Sequence, residues 1–253
     1  MSDIKTTNDG FVGIVELDRP PDNYFDTPLI QDIAAAFDGF VNSGMRSILL
    51  CSAGRNFCAG ADFGRPADDE GRRRDINELY RQAARLFRCP LPIVAAVNGA
   101  AVGGGLGLSM VGDFRVATSQ TRFAANFARL GIHAGFGLSI TLPRAIGEQK
   151  AALLFFTGRR INGEEAHAMG LVDVLAPDTG LRRAALDLAR EIAQSSPIAV
   201  QAMRATLRQG LADRIAAMTE HELSIQAQNF KTEDFEEGIR AMAERRLPNF
   251  TGR

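Results

Sequence analysis

The side chains that most often carry chemistry are sparse in this sequence, and their spacing fits no common catalytic motif. The segment His221-Glu222 begins like a zinc-protease helix, but Ile225 occupies the place of the second histidine. Ser109 lacks the second glycine that a nucleophile elbow requires. The three histidines show no ligand spacing, and the three cysteines form no Cys-x-x-Cys pair. We therefore expect no metal site and no disulfide framework.

Chemistry by backbone amides is favoured instead, because two segments place small residues directly after short apolar runs. Residues 56–62 (NFCAGAD) follow the run 47–51 (SILLC), and residues 98–105 (NGAAVGGG) follow the run 93–97 (IVAAV). Small side chains let a ligand approach the main chain, and an N–H group at a turn or helix start points outward without a partner. Two such amides converging on one oxygen form an oxyanion hole, which would polarise a thioester carbonyl. The alternative is that these glycines serve only tight turns and close packing.

The strands that would position these segments form an α/β pattern. The two apolar runs above read as strands that are buried on both faces. Residues 11–17 follow Asn8-Asp9-Gly10, which is a hairpin signal, and residues 114–117 and 171–174 are weaker strand candidates. Strand signals then stop, and from about Leu181 three or four amphipathic helices follow. We expect an α/β core over 1–180 and a helical region over 181–253 that needs the core's surface to cover its apolar face.

Two helix starts carry recognisable capping chemistry. Thr27 followed by Pro28 predicts a helix that begins with Thr27 as the N-cap and proline in the first turn. Asn162 with Glu165 three residues later predicts a capping box at the start of a second helix.

The composition excludes several classes of protein. The net charge of −1 argues against a general nucleic-acid binder, and the first residues show no basic-then-apolar leader. Residues 89–112 carry no charge, but two prolines and several glycines favour a buried strand, turn and helix over a membrane span. We expect a cytoplasmic protein with no nucleic-acid partner and no membrane partner.

Motifs along nearly the whole chain resemble those of the crotonase (enoyl-CoA hydratase/isomerase) superfamily, and they stand in the family's order. They are Leu17-Asp18-Arg19-Pro20 with Asn23, Phe57-Cys58-Ala59-Gly60-Ala61-Asp62, Pro92–Gly99, Gly103-Gly104-Gly105 with Asp113, Leu142-Pro143-Arg144 with Gly147, Thr157-Gly158 with Ala166 and Gly170-Leu171-Val172, and Glu244-Arg245-Arg246 with Asn249-Phe250. The resemblance implies a spiral of ββα units followed by a helical region, 181–253, used for assembly into trimers or hexamers.

The resemblance also implies a ligand and the residues that hold it. The ligand would be an acyl-CoA, with coenzyme A as part of the substrate and no separate cofactor. The amides of Ala61 and Gly104 would hold the thioester oxygen. Substrate contacts are implied for Asn23, Arg55, Phe57, Ala59, Asp62, Gly103, Asn126, Phe127, Leu130, Phe136 and, at the coenzyme phosphates, Arg245. The alternative for Arg245 is a solvated charge on the C-terminal segment.

The chain departs from the family at its acid–base positions. Hydratases of this family use two glutamates, and the matching positions here are Gly107 and Phe127. A further aspartate position used by some relatives is Gly135. General acid–base catalysis contributes roughly 10²–10⁴-fold, so its loss makes two-glutamate hydration doubtful. An apolar acyl pocket is expected in its place.

A substitute base is scarce. His133 lies close in sequence to the empty positions, and histidine is the residue type that most often acts as a general base, so His133 is the candidate. Its alternative role is that of a loop histidine bonded to backbone. The sequence leaves open isomerisation, thioester hydrolysis, decarboxylation and carbon–carbon cleavage. It also leaves open a protein of another class, one that binds acyl-CoA without turning it over.

Overall fold

A computed structural model describes residues 3–61 and 69–253, with the side chains of 69–75 excepted. Its main sheet has six strands in the order β1-β2-β3-β4-β6-β9. The first pair is antiparallel and every later pair is parallel. A smaller sheet has the order β5-β7-β8. The strands are β1 (Ile4–Asp9), β2 (Val12–Leu17), β3 (Ser47–Ser52), β4 (Ile93–Val97), β5 (Ala100–Val102), β6 (Phe114–Thr118), β7 (Arg122–Ala124), β8 (Arg160–Asn162) and β9 (Val174–Ala176).

The helices alternate with the strands in the first part of the chain and then follow one another. Those of the α/β part are α1 (Thr27–Asn42), α2 (Asp69–Leu86), α3 (Gly104–Ser109), α4 (Leu138–Ile146), α5 (Glu148–Thr157) and α6 (Gly163–Met169). Those of the C-terminal part are α7 (Leu181–Gln194), α8 (Pro197–Leu207), α9 (Leu211–Asn229) and α10 (Glu233–Ala243). Short 3₁₀ turns occupy Asn126–Leu130 and Asp178–Gly180.

The main sheet is covered on both faces, as its continuous apolar strands require. On one face, the side chains of α1, α2, α3 and α4 pack with alternate residues of β2, β3 and β4. On the other face lies α7, whose alanines Ala185, Ala189 and Ala193 recur every four residues and are buried. Such a stripe of small residues lets the helix lie close to the strands.

The C-terminal helices use the core as their surface. Ser47 at the start of β3 donates to the carbonyl of Ala189 in α7 at 2.8 Å. Helix α9 packs against both α2 and α4. Because these helices are packed onto the α/β part, the division into a core over 1–180 and a helical region over 181–253 remains a prediction.

Local features of the sequence are largely confirmed. Asn162 and Glu165 form the predicted capping box, with both hydrogen bonds at 2.8 Å. The predicted cap Thr27 is wrong by one residue, because the side chain of Asp26 accepts the amide of Leu29 at 3.1 Å. An aspartate there is an equally good cap.

The structure also bears on two further expectations, which concern a strand and a membrane span. The weak strand expected at 171–174 lies later, at Val174–Ala176, because Leu171 and Val172 close the end of α6 instead. In the described part of the chain, no helix is long and apolar enough to cross a membrane.

Candidate active site

The two glycine-rich segments identified in the sequence run side by side. Cys58 and Ala101 form a parallel bridge, in which the Cys58 amide donates to Ala100 at 3.1 Å and the Val102 amide donates to Cys58 at 3.1 Å. They meet because β3 and β4 are parallel neighbours, so the chain leaves both strands at the same edge of the sheet. The fold therefore brings both turns to one place.

The closeness of the two turns depends on residues without side chains. A methyl group on Gly105 would lie 2.0 Å from the carbonyl oxygen of Cys58, which no packing adjustment of a side chain can relieve. A methyl group on Gly60 would lie 3.4 Å from the nitrogen of Gly104, and Gly60 also has a φ of +90°. Glycine is required at such a close approach of two backbones.

The amides of Ala61 and Gly104 are both unpaired within the described residues. Neither amide donates any of the hydrogen bonds found there. The amide of Phe25, by contrast, donates to the carbonyl of Gly60 at 3.0 Å. Gly104 is the first residue of α3, so its N–H lacks an intrahelical acceptor. Gly104 is buried and Ala61 is half-buried, and buried backbone donors without partners are rare. Two unpaired amides on adjoining turns are what an oxyanion hole requires.

Phe25 covers the glycine turn. It forms a parallel bridge with Ala61, and its ring tip lies 2.3 Å from the point where a methyl group on Gly104 would stand. The ring is 3% exposed. An acyl group reaching the Gly104 amide would therefore lie along the Phe25 ring.

A wall of aromatic rings continues from Phe25. Its ring centroid lies 5.4 Å from that of Phe136, and Phe136 lies 6.1 Å from Tyr80 in an edge-on arrangement. All three rings, and that of Phe127, are buried. Phe136 has a φ of +63°, a backbone conformation that costs a side-chain-bearing residue energy and is over-represented at functional sites. Buried aromatic rings therefore stand where the sequence predicts an apolar acyl pocket, and the pocket itself remains a prediction.

These rings occupy the places that carboxylates would need. A methyl group on Gly107 would lie 2.7 Å from Cβ of Phe136. A methyl group on Gly135 would lie 2.4 Å from the hydroxyl oxygen of Tyr80. The third position, Phe127, is itself aromatic. Rings thus fill the space at positions that the resemblance matches to acids, and there is no room for a glutamate beside Phe136.

His133 is held by backbone contacts. Its Nδ1 lies 2.8 Å from the carbonyl of Ala134, its amide donates to Asn229 at 2.9 Å, and its carbonyl accepts from Gln226 at 2.7 Å. The ring stacks edge-on with His221 at 6.4 Å. These contacts match the alternative role of a loop histidine, and its role as a base remains a prediction.

Asn126 presents an unsatisfied buried oxygen beside the glycine turn. Its Oδ1 has no hydrogen-bond partner among the described residues, and it lies 3.2 Å from the point where a methyl group on Gly103 would stand. Gly103 itself donates its amide to Ala124 at 2.8 Å. Asn126 therefore has a free polar group for a ligand.

Asn23 has its hydrogen-bonding atoms occupied internally. Its side chain accepts from Arg19 and donates to the carbonyls of Ala53 at 2.9 Å and Asn56 at 2.7 Å. It is 1% exposed and has a φ of +51°. This asparagine braces the loop that carries the first glycine turn.

The other predicted ligand contacts differ in accessibility. Phe57 and Leu130 are buried, Ala59 is half-buried, and Arg55 is exposed. Arg245 is exposed, and its side chain makes no ion pair with the described residues. Asp62 lies outside the described residues. Contact of these residues with coenzyme A remains a prediction.

Sequence reasoning missed Glu222, which lies directly behind Phe136. This carboxylate on α9 is fully buried and accepts the amides of Gly137 at 2.8 Å and Ser139 at 3.0 Å. Burial raises its pKa, and the hydrogen bonds from Ser139 and Gly137 oppose that rise. No motif marks this contact, because the two partners are 83 and 85 residues apart in the chain.

Tyr80 is a second residue of the site that no sequence motif marks, and it belongs to the aromatic wall. It is 3% exposed, and burial raises its pKa, so the hydroxyl stays neutral. It lies on a face of α2 with Ile76, Leu79 and Ala83, which are all buried. Helical spacing of these residues is the signal that could have placed it inside.

The buried thiols do not serve as nucleophiles. Burial raises the pKa of Cys51 and Cys58 to about 12 and that of Cys89 to about 11. Reactive cysteines need a lowered pKa. Within the described residues, no group of three or more histidine, cysteine, aspartate or glutamate side chains could hold a metal ion.

Comparison with known proteins agrees with this geometry. The family described as enoyl-CoA hydratase/isomerase matches residues 7–253. A probable enoyl-CoA hydratase of Rhodobacter capsulatus is 32% identical, over 96% of this chain and 95% of the relative. The 1,2-epoxyphenylacetyl-CoA isomerase of Escherichia coli is 31% identical, over 83% and 82%. The crystal structure of an enoyl-CoA hydratase/isomerase from Pseudoalteromonas atlantica superposes with a TM-score of 0.86 at 26% identity, covering 99% of this chain and 100% of the other.

Parallel strands that end in two adjoining glycine turns, with helices stacked behind them, define a protein of the crotonase class. The chain belongs to the enoyl-CoA hydratase/isomerase family of that superfamily, as the match over residues 7–253 shows.

Proposed function

We propose that this protein is an acyl-CoA-processing enzyme in which the amides of Ala61 and Gly104 stabilise the oxyanion of a thioester enolate. The observation that carries the proposal is the pair of unpaired amides on two adjoining turns. Each donor of such a pair is worth roughly 10²–10³-fold in rate. Family membership supports acyl-CoA as the ligand class.

The surroundings of the turns favour a reaction that needs no protein base to form the enolate. Positions 107, 127 and 135 carry no carboxylate, and the rings of Phe136 and Tyr80 fill the space beside two of them. Hydration, isomerisation and hydrolysis require a group that removes or delivers a proton early. In decarboxylation of a malonyl-type acyl-CoA, the bond from the α-carbon to the carboxylate breaks, CO₂ leaves, and the electron pair enters the thioester enolate.

The aromatic wall suits that chemistry. A carboxylate is costly to keep in apolar surroundings, whereas CO₂ is neutral. Placing the substrate carboxylate against Phe25, Phe127 and Phe136 would therefore destabilise the reactant relative to the transition state. The enolate oxygen would keep both amide hydrogen bonds, and the α-carbon would then take a proton from solvent.

The first test compares substrates. Malonyl-CoA and an alkylmalonyl-CoA are expected to lose CO₂, while crotonyl-CoA stays unchanged, as followed by chromatography of the CoA esters. Rapid hydration of crotonyl-CoA and no release of CO₂ would contradict the proposed reaction.

The second test isolates the amide. Gly104→Pro removes the N–H, and Gly104→Ala keeps it; both place a carbon against Phe25, which makes the alanine variant a matched control. We expect the proline variant to turn over substrate roughly 10²–10³-fold more slowly than the alanine variant. Equal rates in the two variants would remove Gly104 from the oxyanion site.

A non-catalytic acyl-CoA-binding protein is the second candidate, favoured by the same loss of three acid positions. Calorimetry separates the two functions. Binding of acyl-CoA without turnover of crotonyl-, 3-enoyl-, malonyl- or aromatic acyl-CoA would establish the binding protein, whereas CO₂ release establishes the enzyme. Self-association as a trimer or hexamer, and a cytoplasmic location, complete the proposal.

A further inference from the structure

A second concave site lies at the ends of the parallel strands opposite to those that lead into the glycine turns. Pro92 and Asp113, which immediately precede β4 and β6, form one side of it, and α8 forms the other. The groove has a volume of about 550 Å³, within the range of small-molecule sites. The acyl-CoA site proposed above follows the other ends of the parallel strands, so the two sites do not share residues.

The floor of this groove carries more positive charge than its acids balance. Arg204 donates from Nε to Asp113 at 2.8 Å, and Arg208 donates from Nη1 to the same carboxylate at 2.6 Å. Asp113 also accepts the amide of Ile93 at 2.8 Å, so both of its carboxylate oxygens accept hydrogen bonds. Two guanidinium groups thus share one carboxylate.

Of two further arginines at the groove, Arg144 has no acid partner among the described residues and Arg115 has its own. Arg144 donates to the neutral carbonyl of Leu207 at 2.8 Å. Arg115 is balanced by Asp173 at 3.1 Å. Burial lowers the pKa of Arg208, and the neighbouring charges of Arg204 and Arg144 act in the same direction, against Asp113.

One donor in this cluster has no partner. The side chain of Arg204 is only 10% exposed, yet its Nη2 makes no hydrogen bond within the described residues, while its Nη1 donates to Cys89 at 2.6 Å. A buried, charged donor without an acceptor is costly, and the usual explanation is an acceptor that arrives with a ligand. Arg204 therefore calls for an anion in the groove.

The apolar walls of the groove favour a ligand that carries an apolar group as well as the anion. Met110, Val200 and Leu211 line it, and Met203 and Leu207 on α8 extend the apolar surface outward, at 58% and 73% exposure. Exposed apolar surface of this kind beside a charged floor is typical of a binding site.

We propose that this groove binds an amphipathic carboxylate, such as a free medium-chain fatty acid, with its head on Arg204 and Arg208 and its chain along α8. A carboxylate has two oxygens, of which one can accept from Nη2 of Arg204 and the other from Arg208, and its negative charge complements the excess on the floor. The alkyl chain would lie on Met203 and Leu207 and remove them from water.

Calorimetry with sodium decanoate tests the site, with inorganic phosphate as the probe that has a charge and no chain. One decanoate per chain is expected to bind, with phosphate roughly tenfold or more weaker. Equal affinities for the two probes would show a simple anion site and overturn the proposal, as would no binding of decanoate.

Two variants assign the binding to the groove. Arg204→Lys keeps the charge but removes Nη2, and we expect it to weaken decanoate binding roughly tenfold or more. Arg190→Lys is the matched control, because that arginine pairs with Asp9 outside the groove, and it should bind as the parent does. A folded Arg204→Lys protein that binds decanoate normally would contradict the assignment.

The exposed residue Met203 provides a variant that leaves the floor intact. Met203→Glu places a negative charge where the chain should lie, so decanoate binding should fall while the thermal midpoint stays unchanged. Sedimentation of the same variant identifies the rival occupant. A drop in mass, together with no binding of decanoate by the parent, would show that a second copy of this chain covers the groove.

Discussion

Glu222 gives the sharpest test of how the aromatic wall is held in place. Its buried carboxylate accepts two amides at the start of α4, and the residue before that start is Phe136, whose ring fills the space beside Gly107. Replacing Glu222 with glutamine keeps the shape and removes one acceptor. The amide NH₂ of glutamine then faces a backbone N–H.

The size of the effect follows from these contacts. Leaving a buried N–H without an acceptor costs about 1–3 kcal/mol. A negative charge at a helix start adds roughly 0.3–1 kcal/mol in favour of the parent wherever the carboxylate is ionised. Desolvation acts in the other direction on the ionised form, and it is the larger influence, because the pKa of Glu222 is raised above the ordinary 4.5.

That raised pKa sets the sign of the pH dependence. Between pH 4.5 and the folded pKa, the folded protein holds the Glu222 proton more often than the unfolded chain does. The stability contribution of a raised acid is therefore fully present below 4.5 and falls as pH rises through that window. We expect the parent to exceed Glu222→Gln in free energy of unfolding by most in acid, with a difference that shrinks as pH rises.

Urea unfolding of both proteins from pH 4.5 to about 8 measures this difference. Glu220→Gln is the matched control on the same helix, because Arg81 lowers the pKa of Glu220 and its contribution is lost as pH falls below the ordinary 4.5. That pair is exposed and should be worth at most about 1 kcal/mol. A parent-minus-Glu222→Gln difference that grows with pH would refute the reasoning, since it would mean that the two amides outweigh burial.

Three further predictions concern other parts of the fold. Gly105→Ala should destabilise the protein by about 1–3 kcal/mol through its collision with a backbone carbonyl, whereas Gly39→Ala, with open space in α1, should stabilise it by about 0.4–1 kcal/mol; equal midpoints in urea would contradict the close approach. Gly107→Glu should destabilise by about 1–3 kcal/mol and give no hydratase activity, because Cβ and the ring of Phe136 leave no room for the new side chain; a stable variant that hydrates crotonyl-CoA in urea unfolding and activity assays would contradict this packing. Arg246 lowers the pKa of Glu237 to about 2, so the C-terminal segment should lose this contact as pH falls from 4.5 toward 2 and become sensitive to pepsin; unchanged acid sensitivity of Glu237→Gln would show that the ion pair does not hold it.

Local signals in the sequence predicted the parts of the fold that local physics decides. The run IVAAV became β4 at the predicted bounds Ile93–Val97, and the turn at Asn8-Asp9-Gly10 joins β1 to β2. The capping box at Asn162 formed because both of its partners lie within one helical turn. The short strands β5, β7 and β8 were not predicted, since three residues are too few to show a period.

The candidate site, too, could be predicted from the sequence only in part. The sequence located the two glycine turns, because each follows a short apolar run that reads as a buried strand. It also located the missing acids, at Gly107, Phe127 and Gly135. It could not show what stands in their place, because the hydroxyl of Tyr80 reaches Gly135 from a helix 55 residues earlier in the chain, and Phe136 contacts Gly107 from 29 residues later.

The replacement of acids by rings has a consequence for the chemistry. If the acid positions had merely been deleted, water could fill the space beside Gly107 and supply weak acid–base chemistry there. The ring of Phe136 fills that space instead, and Glu222 fixes the turn that carries it. Unpaired amides beside packed rings support the proposed decarboxylation, in which the substrate brings its own leaving group. The aromatic wall would disfavour a substrate carboxylate and the amide pair would hold the enolate oxygen, so both features support that one proposed step.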